Sequence, residues 1–124
     1  IFQIKSKNDL LWLKKQIVHT DGFHSWIVPM NLKSYDKILA IEKNAAYVAS
    51  IYFSVGTSLD INYIHTSIQF RKKGFSTYLI DHVINTYNPN KVRAVILPDS
   101  GSDHVFKKLG FSYVDDHLME LNKN

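Results

Sequence analysis

Residues 71–84, RKKGFSTYLIDHVI, determine how the rest of this chain is interpreted. The preceding residues 61–66 are rich in β-branched and aromatic side chains, which is typical of a strand, and after Gly74 the apolar residues recur at helical spacing. A strand therefore leads into a short basic loop that opens a helix. Because the first N–H groups of a helix lack intrahelical partners and carry partial positive charge, this position favours an anionic ligand.

The side chains of the loop agree with an anion-binding role. Gly74 lets the backbone approach a ligand closely, and Ser76 keeps its side chain small for the same purpose. Arg71, Lys72 and Lys73 add positive charge. A solvated basic turn is the alternative interpretation of these residues when they are taken alone.

Two motifs resemble one family of enzymes. The Arg-x-x-Gly-x-Ser pattern of residues 71–76 resembles the Gln/Arg-x-x-Gly-x-Gly/Ala pyrophosphate loop of the GNAT superfamily of N-acetyltransferases, which bind acetyl-CoA. Residues 105–111, VFKKLGF, are similar to the Phe-Tyr-x-x-Leu-Gly-Phe segment that closes the cofactor site in that family. The motifs lie in the family's order, and the resemblance is good over residues 37–121 and loose over the first 36.

Composition limits the alternatives. The chain of 124 residues suits a single domain, residues 1–124, and its hydrophobic content of 45% is that of a globular protein. The net charge of +4 is spread along the chain without a long basic run, which disfavours a nucleic-acid partner. Short apolar runs predict no membrane segment. The absence of cysteine fits a cytoplasmic location and excludes disulfides, a cysteine-ligated metal site and a cysteine nucleophile.

Residue patterns along the chain predict the remaining elements. A strand at 2–5 precedes a helix that is capped by Ser6 or Asn8. Its expected core stripe is Leu10, Leu13 and Ile17 with Leu11 and Val18. Later strands are expected at 37–43, 46–53, 59–66, 92–97, 111–114 and 117–121, and later helices at 75–87 and 103–109.

This order predicts an α/β fold of the GNAT type. Its sheet is mixed and mostly antiparallel, with about six to seven strands, and about four helices flank both faces. A helix separates the strands at 59–66 and 92–97, so these are expected to be parallel neighbours. In the family such a pair splays apart at the cofactor site.

The resemblance implies which residues contact acetyl-CoA, the only cofactor expected; no metal is predicted. The pantetheine arm would pair with the backbone of Ile64, His65 and Thr66. The diphosphate would face Arg71, Lys72, Lys73, Gly74, Phe75, Ser76 and Thr77. Asp99 and Phe106 stand where the family has an asparagine and a tyrosine at the cofactor, and both are departures from the pattern.

Several residues are candidates for the general base and the general acid. Asp60 stands where histone-type members carry a catalytic glutamate, and a shorter Asp side chain would need a water relay. His65 has the more suitable ordinary pKa, about 6.5. Regular alternation would place Asp60 and His65 on opposite faces of their strand. Because Phe106 has no proton to give, Tyr113, Ser100 or His104 would protonate the thiolate, or CoA would leave as the thiolate.

The predicted activity is transfer of the acetyl group of acetyl-CoA to a primary amine by direct attack in a ternary complex. The acceptor is a small-molecule amine or a protein or peptide amine, and neither nucleic acid nor membrane is an expected partner. The departures at Phe106 and Asp99 keep a non-catalytic CoA-binding or protein-interaction module as the alternative. Pairing of an edge strand or of the closing hairpin into a homodimer also stays open.

Overall fold

The computed structural model describes residues 1–21, 28–96 and 102–122. The elements in these ranges are β1 (Phe2–Ile4), α1 (Lys7–Asp21), β2 (Asp36–Lys43), β3 (Ala46–Val55), β4 (Leu59–Thr66), a 3-10 turn (Ile68–Phe70), α2 (Phe75–Tyr87), β5 (Lys91–Val95), α3 (Asp103–Lys108), β6 (Ser112–Asp115) and β7 (Leu118–Asn122). The predicted α/β order is confirmed, with three α-helices and a 3-10 turn in the described ranges where about four helices were expected.

The strands form a single seven-stranded sheet in the order β1-β2-β3-β4-β5-β7-β6. Every neighbouring pair is antiparallel except β4 and β5, which are parallel. Parallel neighbours need a long crossover, and α2 supplies it. The predicted mixed sheet with one parallel pair is therefore confirmed.

Helices cover both faces of this sheet. Alternation along β2 separates the faces, because Leu39 and Ile41 pack on the side of α2 while Ile38 and Ala40 pack on the side of α1. We call these two apolar clusters the α2 core and the α1 core. The α2 helix contributes Leu79, Ile80, Val83 and Ile84 to the former, and α1 contributes Leu10, Leu13 and Ile17 to the latter.

The N-terminus of α1 is closed by reciprocal hydrogen bonds. The Asp9 N–H donates to Ser6 Oγ at 3.1 Å, and the Asp9 carboxylate accepts the N–H groups of Lys5 and Ser6 at 3.0 and 3.3 Å. Of the two predicted caps, Ser6 is the one used. The backbone N–H donors, that of Lys5 first, lower the pKa of Asp9.

The stripe predicted for α1 is too wide. Leu10, Leu13 and Ile17 are buried as expected, but Leu11 and Val18 are 57% and 44% exposed. Residues spaced three and four apart reach the sheet, whereas side chains at the flanks of the stripe need a second neighbour to cover them.

No helix in the described ranges is long and apolar enough to span a lipid bilayer.

Candidate active site

The basic loop lies between the 3-10 turn and α2. Lys72 and Gly74 both have left-handed backbone conformations, with φ of +63° and +86°. Backbone turns that contain left-handed residues present N–H groups on a concave surface, which accommodates anions. A Cβ added to Gly74 would meet no atom within 4 Å, so the loop surface beside it is open. Arg71, Lys72, Lys73 and Gly74 are all exposed.

Side chains fasten this loop to the end of β4. Arg71 Nε donates to the Thr66 carbonyl oxygen at 3.0 Å, and Thr66 Oγ1 lies 2.7 Å from Ser76 Oγ. Phe70 and Phe75 meet edge to face across the loop, with ring centroids 6.0 Å apart. Sequence reasoning treated Arg71 as a source of charge and Ser76 as merely small, and it missed that both hold the loop in place.

Among the described residues, the end of β4 that leads into this loop has no strand partner on the side of β5. Only Leu59–Ile61 of β4 pairs with β5, opposite Val92–Ala94, although β4 continues to Thr66. The predicted pantetheine-binding residues Ile64, His65 and Thr66 all lie in this unpaired part. An extended ligand would pair with backbone groups in this part of β4, as an added strand does.

A β-bulge interrupts β4 just beyond the last residue paired with β5. Ile61 lies opposite Phe53 and Tyr63 lies opposite Tyr52, so Asn62 is the extra residue. Ile61 packs in the α2 core, whereas Tyr63 packs in the α1 core. The bulge reverses which residues face each side.

The alternation predicted for β4 is therefore wrong. Asp60 faces the α1 side, because its neighbours Leu59 and Ile61 both pack in the α2 core. His65 faces the same side, where its ring contacts Tyr47 of the α1 core. Asp60 and His65 thus share one face of β4, although they differ in their surroundings.

Asp60 is half-buried and lies in a group of polar side chains. Ser58 Oγ donates to Asp60 Oδ1 at 2.8 Å. Ser54, the partner of Asp60 in β3, donates to Asp36 Oδ1 at 2.7 Å and accepts from Asn62 Nδ2 at 3.0 Å. Asp36, Ser54 and Asn62 were not identified from the sequence, because they are brought together only by pairing of three strands.

His65 is buried, with 7% of its surface exposed. Its Nδ1 lies 2.7 Å from the Tyr47 hydroxyl, which is 2.8 Å from Ser50 Oγ. The Tyr47 and His65 rings are nearly parallel, at 14°. Burial also raises the pKa of the neighbouring Tyr63 far above its ordinary value. This environment holds His65 in the protein interior.

Of the candidate acids, Tyr113 lies on β6, and β5 and β7 separate this strand from β4. Tyr113 is exposed on the edge strand β6, and its hydroxyl donates to Asp103 Oδ2 at 3.1 Å. Desolvation and this hydrogen bond raise the pKa of Tyr113, which makes it a weaker acid. Phe106 is fully buried against Phe111, with ring centroids 5.1 Å apart. Asp99 and Ser100 lie outside the described residues, and His104 is exposed on α3.

Metal ligands do not cluster in the described ranges, where no group of three or more His, Asp or Glu side chains is placed to hold an ion.

Comparison with solved structures addresses the fold. An acetyltransferase from Thermus thermophilus superposes with a TM-score of 0.80 at 10% sequence identity. The superposition covers 98% of this chain and 97% of that one. Tetrahymena GCN5 gives 0.74 at 16% identity, covering 98% and 94% of the two chains. The chain has the GNAT fold. The predicted resemblance is confirmed at this level.

Other GNAT-fold structures extend the comparison to a bound ligand. Escherichia coli YhhK, a putative N-acetyltransferase solved with coenzyme A, gives a TM-score of 0.70 at 17% identity, with 98% and 95% of the chains covered. These identities are low and concern the fold alone. The searches found no matching family model and no matching curated protein.

Proposed function

We propose that this chain is an acetyl-CoA-dependent N-acetyltransferase that acts on a primary amine by direct attack in a ternary complex. The observation that carries the proposal is that described residues pair β4 with β5 only over Leu59–Ile61, and that Arg71 and Ser76 fasten the end of β4 to the loop at Gly74, which is open at that residue. Similarity of the fold to acetyltransferases, one of them solved with coenzyme A, supports it. The proposal treats residues 1–124 as one domain and places it in the cytoplasm, where a chain without cysteine is well suited.

The residues present suit such a cofactor. In this proposal the backbone of Ile64, His65 and Thr66 pairs with the pantetheine arm. Arg71, Lys72, Lys73, Gly74, Phe75, Ser76 and Thr77 form the surface for the diphosphate. Anions are stabilised by backbone N–H groups at a helix start and by the nearby positive charges. When bound, acetyl-CoA supplies an acetyl group that is activated as a thioester.

Removal of the amine proton is assigned to a side chain on the α1 face. As the N–C bond forms and the C–S bond breaks, one proton leaves the amine, and CoA departs as the thiol after gaining a proton or as the thiolate. Asp60, half-buried beside the separation of β4 and β5, is the proposed base, acting through a water molecule. His65 stays the alternative base, although its contact with Tyr47 holds it inside.

The group that would protonate the thiolate is less well supported by the structure than the proposed base. Tyr113 is the proposed acid, but its bond to Asp103 would have to open first. Departure of CoA as the thiolate is the alternative. The buried Phe106 favours a second function, a CoA-binding module without catalysis, because it has no proton to give and packs in the α2 core.

The acceptor is proposed to be an amine of a small molecule, peptide or protein. Escherichia coli ribosomal-protein-S18-alanine N-acetyltransferase, with a TM-score of 0.73 at 13% identity, shares the fold. The edge strand β6 is a candidate surface for a homodimer, since all four of its residues are exposed.

Release of free CoA thiol from acetyl-CoA in the presence of primary amines tests the proposal. We expect turnover by the wild-type chain and a large loss in Asp60→Asn, with unchanged thermal stabilisation by acetyl-CoA. Asp81→Asn, an exposed aspartate of α2, is the matched control and should behave as wild type.

Thermal stabilisation by acetyl-CoA without thiol release would identify the binding module instead. If acetyl-CoA stabilises neither the wild type nor the variants, both proposals are refuted.

A further inference from the structure

The bulged residue Asn62 lies where β4 and β5 begin to separate. Ile61 is the last residue of β4 that pairs with β5, opposite Ala94, and Asn62 follows it directly. The Asn62 side chain faces the α1 side, because it bonds to Ser54, and Ser54 pairs with Asp60. Asn62 and Asp60 are therefore neighbours on one face, at the point where the described pairing of β4 with β5 ends.

The hydrogen bonds to Asn62 fix the orientation of its amide. An ionised carboxylate only accepts hydrogen bonds, and a serine hydroxyl has a single proton to give. Since Ser54 donates that proton to Asp36 at 2.7 Å, it can only accept from Asn62 at 3.0 Å. The amide nitrogen of Asn62 must therefore point to Ser54, and its carbonyl oxygen points away.

Two oxygen atoms are left available on this face. Among the described residues, Asn62 Oδ1 receives no hydrogen bond, and Asp60 accepts one only at Oδ1, from Ser58. Arg93 lies beside Asp60 in β5, and its Nε is 3.8 Å from a carboxylate oxygen of Glu120. No described cation is paired with Asp60 within 4 Å.

We propose that Asn62 receives and orients the acceptor amine beside Asp60, and that the acceptor is a cationic amine without a carboxylate next to the reacting nitrogen. This inference rests on the proposed function and names the substrate class of the same site. An ammonium has N–H donors for both oxygens, and the neutral amine keeps two donors after it loses a proton. Asp36 and Asp60 would repel an acceptor that carries a carboxylate close to its amine.

The amide is suited to this role because it carries no charge. A second carboxylate at position 62 would stabilise the ammonium and raise the pKa of the bound amine, so less of it would be nucleophilic at neutral pH. A neutral carbonyl oxygen accepts from the ammonium and from the amine alike. Asn62 thus orients the nitrogen without opposing its deprotonation.

Steady-state thiol release by the full chain tests the inference. The acceptors are n-butylamine, 1,4-diaminobutane, β-alanine and a lysine-containing peptide with blocked ends. The variants are Asn62→Leu and Asn62→Asp, and Asn85→Leu, an exposed residue of α2, is the matched control.

We expect Asn62→Leu to raise the KM for n-butylamine about tenfold or more, as loss of a hydrogen bond to a charged group does. Its KM for acetyl-CoA and its thermal stabilisation by acetyl-CoA should match the wild type. Asn62→Asp should shift the pH-rate profile upward by roughly half a unit or more, which a purely structural residue would not do. β-Alanine should be the poorest acceptor, and Asn85→Leu should change nothing.

Different results refute different parts of the reasoning. Wild-type turnover with an unchanged acceptor KM in Asn62→Leu and an unchanged pH profile in Asn62→Asp overturns this inference and leaves the proposed function intact. Loss of stabilisation by acetyl-CoA in Asn62→Leu also overturns it, because the residue would then support the cofactor site. Absence of thiol release by the wild type with all four amines refutes the proposed function and this inference with it.

Discussion

Replacing Gly74 with alanine separates the conformational strain of the loop from its contact with a ligand. The residue has a φ of +86°, and a Cβ at this position would meet no atom within 4 Å. The variant therefore suffers backbone strain but no clash in the free protein. A left-handed conformation costs an L-residue about 1–2 kcal/mol.

Gly110, which follows α3, is a matched control. Its φ is +96°, and an added Cβ would lie 3.6 Å from Leu121 Cδ1, an ordinary contact. Gly110→Ala should therefore lose a similar stability while leaving the loop intact. For a domain of this size a loss of 1 kcal/mol lowers Tm by about 4 °C, and both variants should show that decrease.

Acetyl-CoA should distinguish the two variants. A ligand present at a hundred times its Kd stabilises the folded state by about 2.7 kcal/mol, which is about 10 °C here. Gly110→Ala should keep this gain in a thermal-shift assay. Gly74→Ala should lose most of it, because the methyl group occupies the space into which the diphosphate would approach the backbone. An equal gain in both variants would refute the assignment of the loop.

Three further predictions concern the strands that carry the site. Tyr47→Phe removes the hydroxyl that lies 2.7 Å from His65 Nδ1, so urea unfolding should show a loss of about 1–3 kcal/mol; an unchanged midpoint would contradict this. Burial, followed by the charge of Asp36, raises the pKa of Tyr52 to about 12. Neutral Tyr52 therefore stabilises the fold below pH of about 10, its unfolded pKa, and this contribution is lost as the pH rises towards 12; the stability difference from Tyr52→Phe should shrink over that range. Ala45 has a φ of +65° in the β2–β3 turn, so Ala45→Gly should raise the unfolding free energy by about 0.5–1 kcal/mol, and a loss would contradict the strain.

Much of the fold could be predicted from local patterns. The apolar spacing of Leu79, Ile80, Val83 and Ile84 predicted α2, and these four residues are its buried face. The helix between β4 and β5 predicted a parallel crossover, which the register of the two strands confirms. Both inferences depend on residues that are close in sequence. Helical spacing and the length of a connection are local properties, so a local pattern is enough to predict them.

Other features depend on partners that are distant in sequence. The exposure of Leu11 is decided by which elements pack beside α1, and no pattern within the helix contains that information. The bulge at Asn62 is decided by the pairing of β4 with β3, so a period of two applied to β4 alone gave the wrong face. The bonds from Asn62 to Ser54 and from Ser54 to Asp36 span three strands.

The partial pairing of β4 gives one strand two local stabilities. Residues 59–61 are held by β3 on one side and by β5 on the other, so opening them requires breaking two ladders. Beyond Asn62, β3 is the one strand of the described ranges that pairs with β4, and Arg71 and Ser76 secure the end of β4 at Thr66. Because the segment between these anchors has one ladder fewer, we expect it to open locally at a lower free energy than the strand's first half. A ligand that pairs with this part of β4 would raise the free energy of its local opening towards that of residues 59–61. The backbone amides of β4 would then be protected from hydrogen exchange to a similar extent along the strand.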